Sequence, residues 1–257
     1  LPILSARGDA DPCDCPRALE GRARLTEAPW RLSDAVAPGI RALKAQWAPI
    51  LVVQILAVGL VLGYYRSETV QSVAHTLSVW KKDGGLVAAF VAGFFAGGLL
   101  PEVAKALAGR LGRLDRSWLG RAAFTGFVYG VIGLEVDLFY RFQAVVFGEG
   151  TDFATIAIKT AVDMALFATL VAIPTTVFLF DWRKAGFSWR ALKGELRPIW
   201  YRDRVLPALI PNWAFWTPVL LCVYAMPTDL QFVFSVVMEA AWSLVFVFIA
   251  TEGETMA

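Results

Sequence analysis

Ala122 to Phe147 reads AAFTGFVYGVIGLEVDLFYRFQAVVF, and Ala154 to Phe180 reads ATIAIKTAVDMALFATLVAIPTTVFLF. Each is longer than the roughly 20 apolar residues that carry a helix across a bilayer. Between them lies only Gly148 to Phe153, with a Thr151-Asp152 turn signal. A link that short makes two membrane helices antiparallel neighbours. Neither stretch alternates as a strand would. A backbone in lipid must satisfy its own polar groups, so the expected class is an all-α, polytopic transmembrane bundle.

The same reading extends outward in both directions. Six spans are expected, at 48–65, 86–108, 122–147, 154–180, 205–226 and 230–250. Trp47, Tyr64 and Tyr65 bracket the first as interface anchors. Residues 1–46 read as a polar, proline-rich arm on the membrane surface, with Gly39 to Gln46 leading into the first span. Residues 47–250 form the transmembrane domain, and 251–257 an acidic tail. Thr69 to Trp80 carries Val70, Val73, Leu77 and Trp80 at helical spacing and reads as an amphipathic surface helix that ends at Lys81 to Gly85. Trp182 to Arg204 reads as a second one, with Trp189, Leu192, Leu196 and Ile199 on one face. Gly93 and Gly97 form a GxxxG, and Gly126, Gly130 and Gly133 are further small residues suited to close helix packing. Pro101 is expected to kink its helix.

Composition supports this class. Hydrophobic residues make up 57% of the 257, and charged residues 18%, against about 25% in soluble domains. That excludes a disordered or collagen-like chain and argues against a soluble enzyme. A net charge of +2 gives no reason to expect nucleic acid binding. Three cysteines, the Cys13/Cys15 pair and Cys222, make no disulfide framework and read as ordinary thiols. The chain begins at Leu1; a cleaved organellar transit peptide or a trimmed terminus would account for that start. Eighteen basic residues fall in the arm and in the 109–121 and 181–204 loops, against three in 66–85. By the positive-inside rule both termini lie on the cytoplasmic-equivalent face.

Charges nevertheless fall inside expected spans, and the second half of the chain holds six of them: Glu135, Asp137, Arg141, Lys159, Asp163 and Glu239. Each costs about 2.5–3.5 kcal/mol at the centre of a bilayer on insertion scales. Asp137/Arg141 and Lys159/Asp163 are four apart, so each can pair within its helix. At about 1.5 Å per residue, Asp137, Asp163 and Glu239 all lie roughly 14 Å below the same basic-poor surface. A stagger of one turn would let the two pairs exchange partners. The set is either an internal salt-bridge network or the acidic lining of a cavity or pore. No nucleophile–base pair or metal set accompanies it, so no catalysis, metal or cofactor is expected. His75, the lone histidine, reads as exposed.

Three stretches in order carry a resemblance. The first is Gly120-Arg121 followed by Gly130, Gly133 and Phe139-Tyr140-Arg141. The second is Lys159, Asp163-Met164 and Phe167-Ala168-Thr169. The third runs from Asn212-Trp213 and Trp216 through Pro218 and Pro227 to Trp242. Over about residues 118–250 this resembles the family of Mpv-seventeen and the twenty-two-kilodalton peroxisomal membrane protein. Leu134, Phe139, Met164 and Thr169 depart from its Pro, Trp, Gln and Pro. Val219, Cys222 and Gln231 stand where it has Gln, Asn and Arg.

The resemblance implies an integral protein of an organellar membrane (mitochondrial inner membrane, peroxisome or plastid) and a weakly selective channel. Arg141, Lys159, Asp163 and Trp242 carry over, and Asp137 by position. Bound lipid is the expected partner. The alternative is a non-catalytic accessory subunit of a larger respiratory or photosynthetic complex, motivated by the long arm, the glycine faces and the aromatic surface. Pigment enters only with the photosynthetic case.

Overall fold

The structure, a computed structural model, describes residues 32–107, 116–196 and 199–255. The chain divides into Leu1–Asp34 and Ala35–Ala257, and the second unit carries the fold. Cys13, Cys15 and most of the expected arm lie outside the described residues, as do positions 256 and 257 of the tail.

Every element among the described residues is helical. They are α1 (Leu32–Arg66), α2 (Glu68–Gly93), α3 (Leu100–Leu107), α4 (Arg116–Phe147), α5 (Phe153–Val162), α6 (Ile173–Lys184), α7 (Trp189–Glu195), α8 (Leu206–Tyr224) and α9 (Thr228–Thr255). A π-helical segment, Phe94–Leu99, joins α2 to α3; Asp163–Ala172 joins α5 to α6, and Tyr201–Val205 leads into α8. Five stretches have the length and composition to cross a membrane: Ala35–Arg66, Glu68–Leu107, Trp118–Phe147, Phe153–Lys184 and Tyr201–Tyr224. α9, with 28 residues, packs against α2, α3, α4 and α8 and completes a bundle of about six spans.

The bundle is apolar outside. Val145 is 85% exposed, Val87 72% and Leu170 62%, while Lys81, Asp137, Gln143, Lys159 and Asp163 are buried. In water that distribution would be strongly unfavourable; in hydrocarbon it is what keeps polar groups satisfied. The chain is a membrane-embedded helical bundle.

Helices overrun the expected spans at both ends. α1 begins at Leu32, so residues 32–46 of the expected arm are helical, and α9 runs through Thr251–Thr255 of the expected tail. Hydropathy marks the hydrocarbon layer, whereas backbone hydrogen bonding carries each helix on into the headgroup region. Asp152 caps α5: its carboxylate accepts from the Thr155 N–H (3.1 Å) and hydroxyl (2.6 Å), which hold its pKa below the usual range.

The surface helix at 69–80 is corrected. It is part of α2, and the helix bends at Gly85, whose φ of 54° and ψ of −131° suit glycine. The stripe Val73, Leu77 and Trp80 faces outward, and Ser78 and Lys81 are buried instead. Ser78 donates to Asp229 at 3.0 Å and Lys81 pairs with Asp137. Polar groups need partners that only the protein offers, and apolar ones can face lipid. The second surface helix is likewise shorter than expected. α7 spans Trp189–Glu195, with Leu192 fully buried but Trp189 and Ile199 exposed. A turn with Gly186 and Phe187 at positive φ precedes it, held by Phe187 packing edge-on against Trp182 and Phe124.

α2 and the π segment after it run closely along α4. A Cβ on Gly93 would lie 2.3 Å from the Tyr129 carbonyl, one on Gly98 2.3 Å from Gly126 Cα, and one on Gly133 2.6 Å from the Ala89 carbonyl. Gly97 lies under the Tyr129 ring, and Gly126 and Gly130 under Phe94 and Phe90.

All three π segments share one cause. Each ends two residues before a proline: Leu99 before Pro101, Ala172 before Pro174, Val205 before Pro207. Proline has no N–H and its ring crowds the carbonyl four residues back. The residue before each proline donates five back instead of four: Leu100 to Phe95, Ile173 to Ala168, Leu206 to Tyr201. In that register Pro174 would serve Thr169, and the Tyr201 hydroxyl takes over, donating to the Thr169 carbonyl at 2.7 Å. Pro218 deprives the Ala214 carbonyl in the same way, and Gln54 Nε2 donates to it at 2.9 Å. The kink expected at Pro101 is thus a widened turn just ahead of it.

Candidate functional site

The six intramembrane charges do not join in one network. Asp137 on α4 is 2% exposed and pairs with Lys81 of α2 and with Arg141, whose Nη2 lies 2.9 Å away. Lys81 also sits 5.0 Å from the centroid of Phe232. Arg141 is the exposed member of this cluster. Glu135 lies on another face of α4, with Oε2 buried and lacking a hydrogen-bond partner.

Lys159 and Asp163 do not pair. Asp163, 4% exposed, accepts at Oδ2 from the Tyr224 hydroxyl (2.6 Å), which in turn accepts from Gln143 Nε2 (2.6 Å). Lys159 is 1% exposed, and its Nζ lies 5.9 Å from the Tyr224 ring centroid. The expected exchange between two in-helix pairs is replaced by two separate sets. The backbone between them stays α-helical, with the Asp163 N–H donating to the Lys159 carbonyl, and both side chains turn to Tyr224, the carboxylate to its hydroxyl and the ammonium toward its ring.

Asp163 and Glu239 meet across a cavity of about 210 Å³. It lies where α4, α8, α9 and the π segments Phe94–Leu99 and Asp163–Ala172 converge. Two of the three proline-driven widenings therefore shape its wall, as π turns often do at sites. Among the described residues no Lys, Arg or His lines it. Glu239 makes no hydrogen bond or ion pair among the described residues, and Asp163 Oδ1 has no hydrogen-bond partner there. The landmarks Tyr140, Asn212, Trp216 and Trp242 all line the cavity; Pro227 does not, and instead starts α9 by accepting from the Leu230 N–H at 2.8 Å. Gly93 and Gly133 are on its wall, while Gly97, Gly126 and Gly130 are not.

A second cavity of about 460 Å³ shares Tyr129 and Trp242 with the first and reaches Gln46 and Glu102. Its one lysine, Lys105, lies 2.8 Å from Glu102. Tyr129 and Trp242 thus form the partition between an inner acidic space and an outer one.

Several residues here were not singled out in the sequence. Lys81 looked like a helix breaker, and Tyr224 and Gln143 lay inside apolar runs. Asp181, 1% exposed, pairs with Arg204 and accepts from Trp200 Nε1 at 3.0 Å, tying the end of α6 to the start of α8. His75 is exposed, and Cys222 is a half-buried free thiol. No group of three or more His, Cys, Asp or Glu placed to hold a metal occurs among the described residues.

Fold and cavity together define a class, a polytopic α-helical membrane protein with an acidic internal space. Compared with known proteins, the chain matches no family model, no curated protein and no solved structure.

Proposed function

We propose that the chain is a solute-permeation protein of an organellar membrane, a weakly selective channel of the Mpv-seventeen type. Its termini lie on the cytoplasmic-equivalent face, and it performs no covalent chemistry. The observation that carries the reading is the cavity itself. Two carboxylates face an internal space in a membrane-embedded bundle without a fixed cation to neutralise them. Such groups are too costly in hydrocarbon to serve as filler and are commonest along solute paths. Four landmarks of the family resemblance, far apart in sequence, converge on the same wall. A groove of about 340 Å³, almost wholly apolar, between α1, α2 and the start of α9 supports a bound acyl chain as well.

The purified chain in a planar bilayer is expected to give discrete conductance events, and Asp163→Asn to change their cation preference. A well-folded protein that leaves the bilayer silent would overturn the reading. It would favour the accessory subunit of a respiratory or photosynthetic complex, which a native gel would then show migrating with its partners.

A further inference from the structure

The chemistry of the inner cavity narrows what it admits, on the reading that it is a solute site. Among the described residues its charged groups are Asp163 and Glu239, both acidic. Asp163 is held by one hydrogen bond, from Tyr224 to Oδ2, and Glu239 by none, so the carboxylates present unmet acceptors to whatever enters. Much of the rest of the wall is aromatic: Tyr129, Tyr140, Phe167, Trp216, Phe232 and Trp242. Aromatic faces attract cations, most strongly where water is excluded. An inorganic cation such as calcium takes about six to eight gathered oxygen ligands; here the oxygens besides the two carboxylates are neutral ones of Tyr129, Tyr140, Thr176, Asn212 and Ser235, and no third acidic group is placed with them to hold a metal among the described residues. An anion meets no positive group among the described residues of the wall. At about 30 Å³ per water, 210 Å³ is the room of about seven waters, which limits the guest to a small molecule.

We infer that the inner cavity binds a small organic ammonium ion. Its charge lies between Asp163 and Glu239, and its apolar flanks rest against the rings, Trp216 and Trp242 foremost. Among the described residues no cation in the cavity competes for the carboxylates. Lys81 is committed to Asp137, Lys105 to Glu102, and Lys159 stands outside the lining.

The test is titration of the purified full chain in nanodiscs with tetramethylammonium, acetate and glycerol, following tryptophan fluorescence and heat. Tetramethylammonium is expected to bind and the other two are not. Asp163→Asn, which keeps the shape and the Tyr224 hydrogen bond, and Glu239→Gln should each weaken binding about tenfold or more. Glu135→Gln, outside the cavity, should leave it unchanged. Circular dichroism checks that each variant is folded. Acetate or glycerol binding as well as tetramethylammonium would overturn the inference, as would binding that both cavity variants leave intact. A protein that conducts in the bilayer yet binds no ammonium probe would sink the inference and leave the permeation reading standing. A folded protein that neither conducts nor binds would sink both.

Discussion

Lys81 and Asp137 meet in the interior of a bundle whose outer surface is apolar, so each depends on the other for solvation. Removing one member of a buried pair leaves an uncompensated charge, at a cost of about 3–5 kcal/mol. Lys81→Met is expected to destabilise by the lower part of that range, because Arg141 still reaches Asp137 from a half-exposed position. Unfolding in mixed micelles would measure it, and adding Asp137→Leu should recover most of the loss. Lys159 is the contrasting case: it is buried and makes no direct ion pair among the described residues, with Glu149 acting on it only from beyond ion-pair distance. Lys159→Met is therefore expected to be neutral or stabilising, by up to about 2 kcal/mol. A large loss on that substitution would restore the in-helix pair with Asp163 that spacing alone suggests. The i,i+4 rule was sound for Asp137/Arg141. It failed for Lys159/Asp163 although the turn between them is α-helical: the Tyr224 hydroxyl takes the carboxylate and the Lys159 ammonium lies toward its ring, and no spacing rule contains a tyrosine from another helix.

At the scale of elements, prolines and glycines decide where helices bend and how close they come. Pro174 removes the donor for the Thr169 carbonyl, and Tyr201 replaces it. Tyr201→Phe should cost about 1 kcal/mol in the native chain and close to nothing in a Pro174→Ala background, where a backbone N–H returns. Additive effects in that double-mutant cycle would refute the link. The glycine seam is less forgiving, since the Ala89 carbonyl facing Gly133 is backbone and cannot rotate aside. Gly133→Val is expected to abolish the folded monomer on size exclusion. Gly59→Ala, in open space on α1, should be neutral or stabilising by up to about 1 kcal/mol. The glycines and Pro101 were readable as spacing and as a kink. Pro174 was not, because it lies in an unbroken apolar run that hydropathy treats as straight. The amphipathic pattern at 69–80 belongs to a spanning helix rather than a surface one for a related reason. In water the apolar stripe would have turned inward, but in lipid Ser78 and Lys81 do.

On the scale of the whole molecule, the sequence was enough for an all-helical bundle of about six spans, since each span is a long apolar run and hydrogen bonds close within helices. Span ends were less legible, because helices continue past the hydrocarbon. The depth arithmetic put three carboxylates in one layer, but lateral position, which depth does not contain, sends Asp137 to Lys81 and leaves Asp163 and Glu239 facing the cavity. The charge asymmetry of the loops yields a further expectation. Single cysteines placed at Gly150 and at Lys193 should react with impermeant reagents from opposite sides of the membrane; reaction from one side would break the six-span order. The most direct test of the central claim is whether water-borne cations reach the inner cavity. Ser235, 4% exposed, lines it and tolerates cysteine by size. With Cys13, Cys15 and Cys222 replaced by alanine, Ser235→Cys should react with a trimethylammonium thiosulfonate about tenfold faster than with its sulfonate counterpart. No reaction with either reagent in a folded protein, or a preference for the anion, would contradict the account.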